Sequence, residues 1–384
     1  MSNTLTELIP TIHKAGGTIS KELVGLIPSV YLNPSAEGVG KDQKVRYMIV
    51  GDSGTEADTP AATGPDPAAQ TPTYGELSIT KVQRAKPFFL EGEEERSLGT
   101  EQVRDFIQQN FEQSFRSLLN EMESDGCALY YEASRAYGAV ATIPFATAGQ
   151  FTEAAQMRKI LADNGAPMGD LQGVVGTTVG ANIRSFQAQA QMAGDATLQR
   201  QGVIQNYSGI QIRESAQIKT HTAGGATSAT TDASGYSVGD RTITLASAGT
   251  LAIVQGDILH HARDLTREYV VGTGDADVSG GGTFVLNKPG IRLAVTAATS
   301  ALTLKADYVA NMFFDRMAIH LLARIPAMPT GGDSAAKTYV YTEPVSKISF
   351  LISEYAQYRR RAYVVGAAWG WKVVKGEHLA LLIH

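Results

Sequence analysis

The sequence predicts a mixed α+β fold, in which one long helix accompanies many strands. Apolar residues recur at helical spacing over residues 99–137. A helix–strand–helix pattern occupies residues 149–220, and short β-type runs follow one another from residue 236 to about residue 304. Glycine, at 39 of 384 residues, exceeds its usual share of ~7%, so we also expect many turns and long connections.

The composition is that of a globular protein with a sizeable core. The chain has 384 residues, 43% apolar and 18% charged, which allows two or three domains. We expect no membrane span and no signal peptide, because no apolar stretch approaches ~20 residues and the first residues lack a basic segment followed by an apolar one. The single cysteine, Cys127, allows no internal disulfide and suits a reducing cytoplasm. A net charge of −5 argues against a dedicated nucleic-acid binder, but not against a protein that encloses nucleic acid.

Residues 1–98 predict two extensions. Residues 1–44 contain two short apolar-periodic segments separated by Gly16-Gly17, too little to form a domain. Residues 45–98 predict a long hairpin, with "KVRYMIV" and "GELSITKVQRAKPFFLEG" as its strands and a connection that carries four prolines. Such a hairpin is not stable alone, so we expect it to lie on something else, such as a neighbouring subunit.

The clearest helix is predicted over residues 99–137, with Thr100 as its cap. The acidic run "EGEEE" at residues 91–95 then precedes the helix, where the helix dipole favours negative charge. The apolar stripe comprises Val103, Ile107, Phe111, Phe115, Leu118, Met122, Leu129 and Ala133.

The remaining chain predicts an α/β region interrupted by a small β-barrel. The small residues of 221–235 predict a linker, and the barrel is expected to follow it. "YVANMFFDRMAIHLLARIP" predicts a core segment, either strand or helix, and "SKISFLISEYAQ", "RRRAYVVGAAWGWKVV" and "HLALLIH" predict long strands.

Ser53, in "KVRYMIVGDSGTEADTP", is the one candidate nucleophile. A serine between glycines just after a strand is how several hydrolases expose their nucleophile. The blocks that a GDS-type esterase also needs are missing: there is no G-x-N-D block, and no aspartate stands three residues before His378. A turn at Ser53 is therefore favoured, and an esterase remains an alternative.

No other motif predicts chemistry. His260 and His261 are adjacent, so in a strand they point to opposite faces and do not share a metal. "GVVGTTVGAN" at residues 173–182 lacks the Gly-Lys-Ser/Thr of a phosphate loop. Trp369 and Trp371 are expected on the core face of a strand. We therefore predict no catalytic, cofactor-binding or metal-binding residues and no cofactor.

In its order of elements the chain resembles the major capsid proteins of tailed bacteriophages, which have the HK97-like fold. "NTLTELIPTIHKAGGTISKELVGLIPSV" is similar to the N-terminal arm of that family, and "EQVRDFIQQNFEQSFRSLLNEMESD" to its spine helix. "ILADNGAPMGDLQGVVGTTVGANI" resembles part of the axial domain, and "GDRTITLASAGTLAIVQGDILHHARDLTREYVV" the domain inserted in podovirus-type coat proteins.

The resemblance implies the following division: arm 1–44, extended loop 45–98, peripheral domain with spine helix 99–148, axial domain 149–221, inserted barrel 222–304, axial return 305–340, and peripheral strands with a final axial strand 341–384. It implies a structural protein whose many copies, as hexamers and pentamers, form an icosahedral head around double-stranded DNA. Expected partners are further copies of the chain, a scaffolding protein, a portal and the packaged DNA, which is bound without sequence specificity. No contact with a membrane is expected. The expected location is the virion, after assembly in the host cytoplasm. A tail-tube or decoration protein remains an alternative.

Opposite charge predicts contacts between subunits. The acidic set is Glu91, Glu93, Glu94 and Glu95, and the basic set is Arg359, Arg360 and Arg361. The alternative for the arginines is a solvated strand end.

Overall fold

The computed structural model describes residues 10–15, 25–49, 73–147, 151–187, 204, 206–343 and 347–384. Two large β-sheets, a separate hairpin and a few helices make up the described chain. The predicted α+β class is therefore confirmed.

The helices are α1 (Gly92–Cys127), α2 (Thr152–Asp163) and α3 (Thr177–Gln187), and residues 10–15 are also helical. The strands, numbered in chain order, are β1 (Tyr31–Val39), β2 (Lys44–Ile49), β3 (Thr73–Ser78), β4 (Lys81–Arg84), β5 (Phe88–Glu91), β6 (Arg135–Gly138), β7 (Leu171–Val175), β8 (Ile210–Glu214), β9 (Thr220–His221), β10 (Thr242–Leu245), β11 (Ile258–His261), β12 (Glu268–Thr273), β13 (Gly282–Leu286), β14 (Leu302–Leu304), β15 (Tyr308–Asp315), β16 (Ile319–Pro326), β17 (Lys337–Thr342), β18 (Ser349–Gln357), β19 (Arg360–Val373) and β20 (Leu379–Ile383).

Helix α1 begins and ends earlier than its apolar stripe predicts. Glu91 is the N-cap of a capping box: its carboxylate accepts from the backbone amide of Glu94, and the Glu94 carboxylate accepts from the backbone amide of Glu91. Thr100 therefore lies inside the helix and does not cap it, and the acidic residues form the first turn and do not precede it. The helix ends at Cys127, where the chain continues as a 3₁₀ turn over Ala128–Glu132.

The first sheet is built around β19. Along one edge β19 pairs with β18 and then with β16, and along the other with β5 and then with β4. Strand β17 extends the sheet beyond β18, and β1 extends it beyond β16. The predicted second hairpin strand is thus divided: β3 stays in the hairpin, whereas β4 and β5 join this sheet.

Helix α1 covers one face of the first sheet. Phe111 and Phe115 on the helix pack with Tyr363 and Phe350 of the sheet. The indole N–H of Trp371 donates to the Met122 carbonyl oxygen at 3.0 Å, and both tryptophans are buried as predicted. The main core therefore lies between α1 and this sheet.

The hairpin of β2 and β3 forms a sheet of its own. Its base rests on the first sheet, where Leu77 and Ile79 pack with Leu322 and Ala368. Residues 50–72, including Ser53, lie outside the described part of the chain.

The second sheet contains β6, β20, β15, β7 and β8, with α2 and α3 packed beside it. Asn164 and Gly165 end α2 as predicted, and Gly165 has a positive φ of 77°. The chain leaves this sheet after β15 and enters the first sheet as β16. Within residues 305–340, β15 thus lies in the second sheet and β16 and β17 lie in the first.

The inserted segment closes into a barrel with the help of residues predicted to be a linker. Strands β10, β13, β12, β11 and β14 pair in that order. Residues 230 and 231 then close the ring, because Thr230 bridges to Ala301 and Thr231 bridges to Leu245. The linker prediction for 221–235 was wrong: small residues here let the backbone pair closely with strands on both sides.

The barrel is joined to the rest of the chain by backbone and side-chain contacts. Strand β12 pairs with β6, so the barrel continues the second sheet. Next to this junction, the His221 ring lies between Asp257, 2.8 Å from Nε2, and the Tyr130 hydroxyl, 2.9 Å from Nδ1. Asn287 Nδ2 also donates to the carbonyl oxygens of Tyr131 and Ala133. The barrel is therefore held at the end of α1.

Candidate inter-subunit surfaces

The face of the first sheet opposite α1 is only partly covered by the described chain. The strand registers place Val82, Phe89, Val340 and Val364 on this side, which we call the open face. Val82 and Phe89 are each 39% exposed and Val340 is 37% exposed. Apolar side chains exposed on one sheet face make this face a candidate interaction surface.

The chain's own hairpin covers the other half of the open face. Ser78 lies so close to Gly370 that a Cβ on Gly370 would overlap the Ser78 carbonyl oxygen. The Tyr47 ring also lies directly over Gly75, which keeps the hairpin strands packed together. One half of the open face is thus covered by β3 and the turn that follows it, while apolar side chains of the other half are exposed.

The predicted acidic and basic sets meet at one corner within a single chain. Arg359 Nη2 lies 3.0 Å from Glu93 Oε1, and both side chains are largely exposed. Arg360 lies over the Phe89 ring at 4.2 Å, and Arg361 Nη1 lies 3.7 Å from Glu354 Oε1. The remaining acidic residues, Glu91, Glu94 and Glu95, lie in or beside the first turn of α1.

An open pocket of about 580 Å³ lies at this corner, lined by Glu91, Gly92, Glu93, Tyr358 and Arg359. Tyr358, at the turn between β18 and β19, is 90% exposed. The ion pair with Glu93 lies within one chain, and contact of this corner with a neighbouring subunit stays a prediction.

The segment before β1 is fixed to α1 by a buried carboxylate. Glu123 accepts hydrogen bonds from the amides of Gly25, Leu26 and Ile27 at 2.8, 2.6 and 3.1 Å. Burial raises the pKa of Glu123, although the three amides oppose that rise. Sequence analysis missed this residue, because Glu123 lies within a charged stretch of α1 and only the fold brings residues 25–27 to it.

Lys81 connects β4 to α1 on the covered face of the sheet. Its Nζ lies 2.8 Å from Asp125 Oδ1 and 3.1 Å from Glu121 Oε1. Asp125 also accepts from the Trp369 indole N–H at 2.9 Å. The hydrogen bond with Asp125 is the main reason why the pKa of Lys81 is raised.

His260 and His261 lie in strand β11 and point to opposite faces, as the sequence predicted. His261 lies inside the barrel and His260 is partly exposed, while His378 is buried after β19. Within the described residues no group of three or more histidine, cysteine, aspartate or glutamate side chains could hold a metal ion. None of the described helices combines the length and the apolar character that crossing a membrane requires.

The sequence matches no family model and no curated protein. Among solved structures, the chain is similar to the capsid structure of the cyanophage P-SCSP1u, with 12% identity, a TM-score of 0.47, and coverage of 92% of this chain and 86% of that chain. It is similar to a structure from Mycobacterium phage Che8, with 13% identity, a TM-score of 0.46, and coverage of 90% and 85%. It is also similar to the asymmetric unit of the mature capsid of bacteriophage PhiM1, with 10% identity, a TM-score of 0.45, and coverage of 92% and 85%. With TM-scores below 0.5, these likenesses do not by themselves assign a function.

Proposed function

We propose that the chain is the major capsid protein of a tailed bacteriophage. In this proposal many copies assemble into an icosahedral head that encloses double-stranded DNA, and the role is structural, without catalysis. The observation that carries it is the open face, half covered by the chain's own hairpin and half exposed with apolar side chains. A half-covered sheet face, and a hairpin whose two strands pair only with each other among the described strands, are both explained if neighbouring copies supply further contacts.

The order of elements supports the same proposal. The described chain runs through a hairpin, then a long helix over a sheet, and then a second sheet with helices. An inserted barrel and a return to the first sheet follow. This is the order that the HK97-like resemblance implies.

Further partners belong to the proposal. A scaffolding protein and a portal would take part in assembly in the host cytoplasm, and the finished head would be the protein's location. The net charge of −5 suits DNA that is enclosed without tight binding, because a strongly basic lining would retain it.

Contacts between subunits are proposed at the corner formed by Glu91, Glu93, Glu94, Glu95 and Arg359–Arg361. Reversing the charge of Glu93 and Glu95 should weaken assembly if this corner meets a neighbour. Unchanged assembly by a folded variant would remove the corner from the proposal.

The test is sedimentation and negative-stain electron microscopy of the purified full chain, with and without a candidate scaffolding protein. The expected result is closed shells, or rings of the size of hexamers and pentamers. A monomer under all conditions would contradict the proposal, and ester hydrolysis lost in Ser53→Ala would support the esterase alternative.

A further inference from the structure

The inserted barrel encloses a small apolar interior. The residues that line it leave a cavity of about 10 Å³. This volume is near the lower limit for holding one water molecule. Most of these residues are aliphatic or aromatic; they are Thr231, Tyr236, Ile243, Leu259, His261, Tyr269, Phe284, Leu286, Ile291, Val295 and Leu302.

Among the described residues that line this interior, His261 is the one with a basic side chain. It is 3% exposed, and neither ring nitrogen has a hydrogen-bond partner among the described residues. Its ring stacks on Tyr269, with centroids 6.2 Å apart and planes 10° from parallel. The hydroxyl of Ser300, just before β14 and paired through its backbone with Thr231, is also buried without a partner among the described residues.

The described lining of the cavity contains no carboxylate that could pair with a charged His261. The nearest acidic group along the same strand and loop, Asp264, is already engaged: it accepts from the Tyr269 hydroxyl at 2.8 Å and pairs with Arg267. His260 and Arg263, on the same element, disfavour a second positive charge, while Asp264 partly offsets them.

The charged groups on the neighbouring elements are also paired elsewhere. On β12 and the residue after β14, Glu268 pairs with Lys305 at 2.7 Å. On the closing segment, Asp232 accepts from the Tyr236 hydroxyl at 2.5 Å. Arg292 meets the Tyr269 hydroxyl only through its backbone amide, and Arg241 donates to the Leu286 carbonyl oxygen.

A neutral imidazole fits this interior, whereas an imidazolium does not. Protonation would place a full charge and a second N–H donor among mostly apolar side chains, at a ring whose nitrogens have no hydrogen-bond partner among the described residues. Burial accordingly lowers the pKa of His261.

We propose that His261 makes the inserted barrel acid-labile, so that the barrel opens locally when this ring is protonated while the two large sheets stay folded. This device belongs to the barrel itself and does not depend on the proposed capsid function. The barrel can open as a unit because it has a hydrophobic cluster of its own.

Proton linkage gives the direction in which pH changes the stability of the barrel. A histidine with a lowered pKa in the folded barrel binds its proton more readily when the barrel is open. Stability of the barrel is then full above the pKa of an exposed histidine, about 6.5, and is lost as the pH falls below it. Burial raises the pKa of Glu268, whose protonation acts in the opposite direction. The effect of His261 must therefore be taken as a difference between the wild-type chain and its variants.

The test is hydrogen–deuterium exchange of the full chain at pH 7, 6 and 5, corrected for intrinsic exchange rates. In the wild-type protein we expect the protection of β10–β14 to fall about tenfold more between pH 6 and pH 5 than in the His261 variants, as one bound proton requires. Protection of β16 and β19 should not follow this change.

His261→Gln keeps a neutral polar side chain of similar size, and His261→Leu removes the polar atoms. Both should lose the extra fall in protection, and the Gln variant decides if the Leu variant does not fold. His260→Gln is the matched control and should keep the wild-type response. An equal pH dependence in the wild-type chain and His261→Gln would overturn the proposal.

Discussion

A single buried carboxylate fixes the segment before β1. Glu123 is fully buried and accepts hydrogen bonds from the three backbone amides of residues 25–27. Gly25 is required beside it, because a Cβ there would overlap the Glu214 carbonyl oxygen. Ser29 adds a hydrogen bond to the Gly25 carbonyl oxygen at 2.7 Å. The segment is therefore held between α1 and the end of β8.

We predict that Glu123→Ala destabilises the protein by about 3 kcal/mol, since it leaves three buried amides without an acceptor. Thermal unfolding measures the loss, and limited proteolysis should show new cleavage near residues 25–30. Glu121→Ala is the matched control on the same helix: Glu121 is partly exposed and pairs with Lys81, so its loss should cost below about 1 kcal/mol. Equal unfolding temperatures for the two variants would show that the amides do not depend on Glu123.

The hairpin is positioned by a close backbone contact between two elements. Gly370 in β19 faces Ser78 at the end of β3, and no side-chain atom separates them. Gly370→Ala should destabilise the protein by about 1–3 kcal/mol, because the Cβ would meet backbone and not a flexible side chain.

Thermal unfolding and exchange of β2 and β3 measure this effect. The control is Gly92→Ala, at the start of α1, where an added Cβ meets nothing within 4 Å. If Gly370→Ala unfolds at the wild-type temperature with unchanged exchange in the hairpin, the close contact does not hold the hairpin.

Element types were easier to predict than element ends. The apolar stripe of α1 identified the helix, because period 3.6 is a property of the local sequence. Its first turn carries only polar residues and glycine, so the stripe could not show where the helix begins. The capping box of Glu91 and Glu94 was the available signal.

Pairing partners could not be predicted in the same way. The second predicted hairpin strand looked continuous in sequence, but the structure divides it into β3, β4 and β5, and the last two pair with β19. The linker prediction for residues 221–235 was wrong for the same reason: small residues suit both a free linker and a close backbone approach. Whether such a segment is a free linker or pairs with strands depends on residues distant along the chain.

For the whole molecule, we expect assembly to depend on the open face and folding of the single chain not to depend on it. Val82 and Val340 are partly exposed on this face. We predict that Val82→Asp with Val340→Asp abolishes shells or rings, because a neighbour would have to bury both charges. Sedimentation measures assembly, and circular dichroism should show a folded monomer.

Val238→Asp with Leu293→Asp is the control for this variant. Both residues are exposed on the inserted barrel, so the control changes net charge equally at another surface. Wild-type assembly by the open-face variant would mean that neighbouring copies do not use this face.

By itself, the sequence determined the α+β class, the long helix, the buried tryptophan strand, the barrel-forming runs and the separation of the histidines. These features follow from periodicity, turn residues and spacing, which act over a few neighbouring residues. Only the tertiary structure decided that Glu123 holds residues 25–27 and that residues 230 and 231 close the barrel. It also decided that, among the described residues, His261 has no hydrogen-bond partner and one half of a sheet face is left open. Each of these depends on contacts between residues far apart in the chain, and a buried polar group or an exposed apolar one is recognised only once its surroundings are known.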